Sequence, residues 1–200
     1  IMCTPEAKNK KPSIVRLKKS EWKGFILPVE YTSSEYYDVK IKADTSGFTA
    51  VFERKAFSVP VKHSPEAYDY PDRLFAPHWP GASAYGIFDE GSLTGAIEIY
   101  PEKWSDRLRV TELWCSEKYR KRGRGKALMD KAKEYAVKHG FRMIILETQS
   151  CNVNAIDFYL SQGFRLAGFD AYCYSNHDIE NKEVRVELGW INRNSDSQKV

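Results

Sequence analysis

The chain is poor in the features that commit a protein to a special environment. It has four cysteines in 200 residues (Cys3, Cys115, Cys151 and Cys173), no C-x-x-C pair, and four histidines without ligand spacing. A disulfide framework and a zinc site find no support in this, no metal is expected, and unpaired thiols fit a reducing cytoplasm. No apolar run approaches the roughly 20 residues of a membrane span, and the N-terminus has no apolar leader core, so no membrane partner is expected. Charge of one sign is scarce as well. Thirty-one basic against 27 acidic residues leave +4, much of it in the first 25 residues and one loop, too little to argue for nucleic acid. Neither G-x-x-x-x-G-K-[ST] nor G-x-G-x-x-G occurs, which removes the P-loop and the dinucleotide fingerprint. There is no internal repeat, and the length suits one domain.

What is present centres on Arg120-Lys121-Arg122-Gly123-Arg124-Gly125. This basic glycine turn lies between a strand pattern, Leu108 to Cys115, and an amphipathic helix carrying Leu128, Ala132, Tyr135 and Ala136 on one face. A helix N-terminus presents unpaired N–H groups and the positive end of its dipole, so the turn reads as a phosphate cradle. The alternatives are a solvated basic turn or an RG-type nucleic-acid tract. Beyond Gly140, Met143 to Gln149 reads as a buried, parallel strand, and Asn152 or Asn154 caps a short helix ending at Gly163. A strand-like run from Phe164 to Tyr174 and a last strand, Glu183 to Trp190, follow.

These residues carry a resemblance. Arg120-x-x-Gly123-x-Gly125 resembles the acetyl-CoA signature, [RQ]-x-x-G-x-[GA], of the GNAT superfamily of N-acetyltransferases. Asn152-x-x-Ala155-x-x-Phe158-Tyr159-x-x-x-Gly163-Phe164 resembles its second signature, in the expected order across residues 82–190. Leu146 to Gln149, Tyr174 and Glu183 are also similar to the streptothricin acetyltransferase branch. The resemblance implies an α/β (α+β) GNAT fold, a mixed and mainly antiparallel central sheet flanked by helices, here with an extra N-terminal hairpin. It implies acetyl-CoA as co-substrate and acetyl transfer to a primary amine by direct attack in a ternary complex. A small-molecule acceptor, such as a streptothricin-like antibiotic, is favoured. A protein lysine or N-terminus, and a non-catalytic acyl-CoA sensor, are the alternatives.

The resemblance also implies roles. Backbone groups of Leu113, Trp114 and Cys115 would hold the pantetheine arm, and amides of Arg120, Lys121, Arg122, Gly123, Arg124, Gly125 and Lys126 the pyrophosphate. Glu112 is the expected base, with Glu147 on the next strand as rival or as a structural partner for an arginine. Tyr159 is the expected general acid, a phenol being protonated at neutral pH, or else a core residue. Asn152 binds the cofactor arm, caps its helix, or does both. Cys115 is a conceivable acyl carrier, but a small buried hydrophobe suits its surroundings better.

The N-terminal half is harder to read. Ile14 to Leu17 reads as a strand, Ser20 as cap of a helix through Leu27, and Ser64-Pro65-Glu66 as a helix start. Tyr37 to Lys42 and Phe48 to Phe57 read as a hairpin that shapes the acceptor pocket or a homodimer contact; Ala82 to Phe88 and Ser92 to Tyr100 form another. Residues 1–12 read as a loose tail, 13–191 as the domain and 192–200 as a polar tail. Two mixtures of aromatics and acids, Tyr68, Tyr70, Asp72, His78, Trp79 and Tyr85, and Trp104, Asp106, Asp170, Tyr172 and Tyr174, suit a cationic amine or simply a core rim.

Overall fold

The computed structural model describes residues 12–67 and 71–194. Along the chain run β1 (Ile14–Leu17), α1 (Lys19–Trp22), β2 (Tyr31–Asp44), β3 (Gly47–His63), β4 (Ser83–Asp89), β5 (Ser92–Glu102) and β6 (Arg107–Cys115). Then come α2 (Arg124–Lys138), β7 (Met143–Gln149), α3 (Val153–Ser161), β8 (Arg165–Asp170), α4 (Asp178–Asn181) and β9 (Arg185–Ile191). Seven strands form one sheet in the order β1-β4-β5-β6-β7-β9-β8, while β2 and β3 pair only with each other. Within the large sheet β6 and β7 run parallel and the other neighbours antiparallel. This is the mixed, mainly antiparallel sheet that the motifs imply.

Each face of the sheet is covered differently. On one, α2 buries Ala127, Leu128, Met129, Ala132 and Ala136, residues at helical spacing, against Ile97, Ile99, Leu108, Val110 and Ile144. Ile156 and Tyr159 of α3 join that core. The other face is covered by irregular chain rather than by helices. Leu27, Leu74 and Phe75 pack on Ala84, Ala96 and Trp114, and the backbones of Gly24, Leu27 and Leu74 cross-bond the two wrapping segments.

Several expectations need correction here. The helix expected from Ser20 through Leu27 is one turn, Lys19–Trp22, with Lys18 in the N-cap position and no side-chain cap. Gly24 at φ 80° breaks it, and Ile26 then bridges to Arg73. The helix expected at Ser64 is a 3₁₀ turn, Pro65–Ala67, which runs up to residues outside the description. The strand expected to reach Tyr174 ends at Asp170. Asn192, expected in the C-terminal tail, is buried, and its side chain donates to the Phe141 carbonyl at 2.9 Å. Residues 1–11 and 195–200 lie outside the described residues.

The hairpin is longer than its sequence pattern. Its root is tied to the body by Tyr37 N–H to Ser150 O (2.9 Å), Ser33 Oγ to Cys151 O (2.7 Å) and Arg54 to Asp157 of α3 (3.1 Å). Phe52 meets Phe169 of β8 edge-on, with ring centroids 5.2 Å apart.

Two local irregularities in β6 position the site. First, β6 and β7 are paired only at Arg107–Arg109 against Met143–Ile145. From Val110 onward β6 stays on β5 but has no partner strand on its β7 side. Second, the register against β5 shifts between Ile99↔Val110 and Glu98↔Glu112, so Thr111 is an extra residue, a β-bulge. Leu108 and Val110 point into the helix-side core, and strict alternation from them would send Glu112 there too. The bulge instead turns Glu112 to the opposite face, directly across the ladder from Glu98.

Candidate active site

One wall of the opening between β6 and β7 comes from a contiguous stretch of chain. Leu113 and Cys115 pack toward the helix-side core, and Trp114 packs on the other face, its indole N–H donating to Pro28 O at 3.0 Å. Their side chains are thus committed to packing, while the strand edge beside them lies open. The chain then turns into α2 through Lys121 (φ 58°) and Gly123 (φ 78°), both left-handed. Gly123 occupies the N-cap in a conformation that glycine adopts without strain. It offers no capping side chain, so the amides of Arg124, Gly125 and Lys126 open the helix without a side-chain partner. A Cβ on Gly125 would make ordinary contact with Phe158 at 3.4 Å and the Cys115 thiol at 3.8 Å.

The cations around this turn divide their tasks. Arg120 donates to Cys115 O at 3.2 Å and also to Glu30 O, stitching the end of β6 to the wrapping segment. Arg124 lies 3.7 Å over the Tyr119 ring and bonds Thr94 and Asp89. Lys126 pairs with Asp130 at 2.8 Å. Lys121 and Arg122 are exposed and form no ion pair among the described residues. Local attraction for an anion therefore rests on these two and the helix terminus.

The facing wall is acidic and comes from separated segments. Glu112 is partly buried and has no hydrogen bond or ion pair among the described residues. Burial pushes its carboxyl well above the usual range, and the neighbouring Asp72, Glu98 and Glu147 push it further. Glu98 is fully buried on β5 and accepts from Thr111 Oγ1 at 2.9 Å and Phe75 N–H at 2.5 Å. Phe75 itself sits at φ 54°, so the Glu98 carboxylate holds a strained residue of the wrapping loop in place. Asp72, in the same loop, keeps accessible surface, yet the protein around it desolvates its carboxyl and raises it.

Glu147 differs in kind. It pairs with Arg185 at 2.6 Å and Arg109 at 3.2 Å, inside a network in which Arg109 also binds Glu102. Both of its arginine partners occupy the carboxylate, whereas Glu112 has none among the described residues.

Tyr159 approaches from α3. Its ring is buried against Phe158 and Phe164, and its hydroxyl bonds nothing among the described residues. Burial raises this phenol, and Glu112, Cys115 and Asp72 add to the shift, so it stays protonated. Cys115 is likewise raised, to about 11, by burial that Arg120 and Arg124 only partly offset. A neutral thiol is a poor nucleophile, which leaves Cys115 the packing role. Asn152 caps α3, its Oδ1 accepting from Ala155 N–H at 3.3 Å. Its amide NH₂ remains available to a ligand.

The expected acceptor residues are scattered. Tyr68 and Tyr70 lie outside the described residues. His78 and Trp79 stack toward Tyr100, Trp104 is exposed beneath Arg107, and Asp170 caps the Tyr172 N–H. Only Asp72 of these sets is electrostatically coupled to Glu112. Sequence inspection missed Glu98 and Phe75. The available signal was an acid inside the otherwise apolar run from Ala96 to Ile99. Among the described residues no group of histidines, cysteines and acids is placed to hold a metal, and no helix is long and apolar enough to cross a membrane.

Comparison with known proteins agrees with this geometry. Streptothricin acetyltransferase A of Bacillus subtilis (strain 168) is 32% identical over 102 residues, 51% of this chain and 58% of its own length. The Escherichia coli streptothricin acetyltransferase is 30% identical over 110 residues, 55% of this chain and 63% of its own length. The matched region thus spans about three-fifths of these curated relatives. Among solved structures, a nourseothricin acetyltransferase superposes with a TM-score of 0.70 at 23% identity, covering 91% of this chain and 99% of that one. A putative streptothricin acetyltransferase from Bacillus anthracis str. Ames, solved with acetyl coenzyme A, gives 0.67 at 20% identity, over 90% and 97% of the two chains. These likenesses show the fold. Residues 48–164 match the acetyltransferase (GNAT) family, and the chain belongs to it.

Proposed function

We propose that the protein transfers an acetyl group from acetyl-CoA to a primary amine of a small cationic molecule. Streptothricin is the first acceptor to test, because relatives 32% and 30% identical to this chain carry that name. The observation that carries the proposal is the unpaired, desolvated Glu112 carboxylate beside the open β6 edge, with the free hydroxyl of Tyr159 coupled to it.

Acetyl-CoA supplies the activated thioester. The open edge at Leu113 to Cys115 suits its amide-bearing arm, as a strand would. The amides from Arg120 to Lys126, with Lys121 and Arg122, suit its pyrophosphate, and the Asn152 amide suits the arm as it leaves. Glu112, directly or through one water, takes a proton from the acceptor ammonium, and its raised affinity for protons matches that task. The freed amine forms the new N–C bond as the C–S bond breaks, and Tyr159 gives its proton to the departing thiolate. The second proton shed by the acylated nitrogen restores Tyr159 through solvent, leaving Glu112 to release its proton to bulk water. The products are an amide and a thiol. Asp72 and Glu98 add negative potential that draws the cationic acceptor toward Glu112.

The test is acetyl-CoA binding by calorimetry, followed by free-thiol release against a panel of amines that includes streptothricin. Turnover on a small amine supports the proposal. Binding without turnover on small amines, but with acetylation of a peptide lysine or N-terminus, would move the acceptor to protein. Failure to bind acetyl-CoA would sink the proposal altogether.

A further inference from the structure

We infer that Glu98 is a positioning residue of the transfer site: its buried carboxylate clasps the bulge that aims Glu112 and sets a fixed negative charge beside it. The inference rests on Glu112 being the base.

Glu98 is fully buried in the middle of the sheet, with Ala84 of β4 and Glu112 of β6 as its cross-strand partners. Its two oxygens have different tasks. Oε1 accepts from Thr111 Oγ1 at 2.9 Å, and Thr111 is the extra residue of the bulge. Oε2 accepts from the Phe75 N–H at 2.5 Å, where the wrapping loop passes through φ 54° a few residues beyond Asp72. One side chain thus ties the bulge that turns Glu112 to the loop that carries Asp72. Without the bulge, strand alternation would return Glu112 to the helix-side core.

The charge needs a separate account. Burying a carboxylate is costly. A neutral glutamine could make both bonds, its oxygen accepting from Phe75 and its NH₂ donating to the Thr111 hydroxyl. Structure alone therefore does not call for an acid at this position, but the chemistry across the ladder does. Like charges directly opposite each other repel, so an ionised Glu98 makes Glu112 hold a proton more firmly. Burial raises the proton affinity of Glu98 itself, while its two hydrogen bonds and the charges of Lys19 and His78 lower it and favour the anion. Asp72 of the wrapping loop and Glu147 of β7 add to the negative field at Glu112, and the Tyr159 phenol of α3 is coupled to the same carboxyl. Glu147 is engaged by Arg109 and Arg185, whereas Glu98 forms no ion pair among the described residues.

Carboxyl titration by carbon-13 NMR on the full chain tests this without requiring turnover, with Glu112→Gln identifying the Glu112 signal. In Glu98→Gln that signal should titrate at lower pH than in the wild type. Acetyl-CoA affinity within twofold of wild type would report that the variant is folded. Thr111→Val removes the clasp but keeps the charge, and should lower kcat about tenfold or more, because a misaimed base costs rate. An unmoved Glu112 titration in Glu98→Gln overturns the inference, and so does a Thr111→Val enzyme with wild-type kcat. Full activity of Glu112→Gln would instead refute the base assignment beneath it, even if the titration shifts.

Discussion

The two walls of the cleft are built on opposite plans. The basic wall comes from one run of chain, Leu113 to Lys126, and its working groups are backbone amides and a strand edge. The acidic wall brings Asp72, Glu98, Glu112 and Glu147 together from four places in the sequence, and its working groups are side chains. Backbone groups stay in position as long as the strand and helix exist. The carboxylates depend on a bulge, a strained Phe75 and an arginine network to set which of them is free. The first plan therefore tolerates side-chain change but not backbone change, and the second tolerates neither charge loss nor repositioning.

Substitutions can separate the walls. The largest effect is expected from Gly123→Glu, which places a like charge at the proposed anion site and strains a left-handed residue. Acetyl-CoA affinity by calorimetry should fall about 100-fold or more, since juxtaposed like charges cost several kcal/mol. Gly123→Asn, which tolerates the left-handed region, should lose far less. Tyr159→Phe keeps the buried ring and removes the proposed acid, so kcat should fall about 100-fold with acetyl-CoA affinity within twofold.

Glu112→Gln should abolish the acidic limb of the kcat/KM pH profile, a limb lying above the ordinary carboxylate range because the folded-state pKa is raised. Stability should move the other way. A carboxyl whose folded pKa is raised favours folding while protonated, and that contribution is lost as pH rises through the raised value. A neutral glutamine escapes the loss, so Tm at pH 8 should rise by about 2–4 °C, with a smaller change at pH 4. Glu147→Gln should have the smallest effect on rate, less than about fivefold, because its carboxylate is engaged by Arg109 and Arg185. A larger loss from Glu147→Gln than from Glu112→Gln would reverse their assignments.

The same contrast explains what could be read from the sequence. The basic wall was legible because a glycine turn between a strand and a helix is a local pattern, and Asn152 to Phe164 is another. The strands of the main sheet were legible from alternation and apolar runs. The bulge at Thr111 was not, since register is a relation between two strands and leaves no mark on one of them. Glu98 could not be assigned a partner, because Phe75 lies 23 residues away in a loop. The helix signal at Ser20 misled because tertiary cross-bonds between residues 24–27 and 72–74 overrode weak local propensity.

The parting of β6 from β7 after three register pairs also has a kinetic side. Amide hydrogens paired inside a sheet exchange with solvent only when the sheet opens, whereas those on an unpaired edge exchange readily. The unliganded protein should therefore show fast exchange at those amides between Val110 and Cys115 that point away from β5, and at the start of α2, interleaved with slow neighbours bonded to β5. A ligand lying along that edge becomes, for the amides it bonds, an eighth strand. Its arrival would then be recorded residue by residue as deuterium uptake falls, with no chemical turnover required.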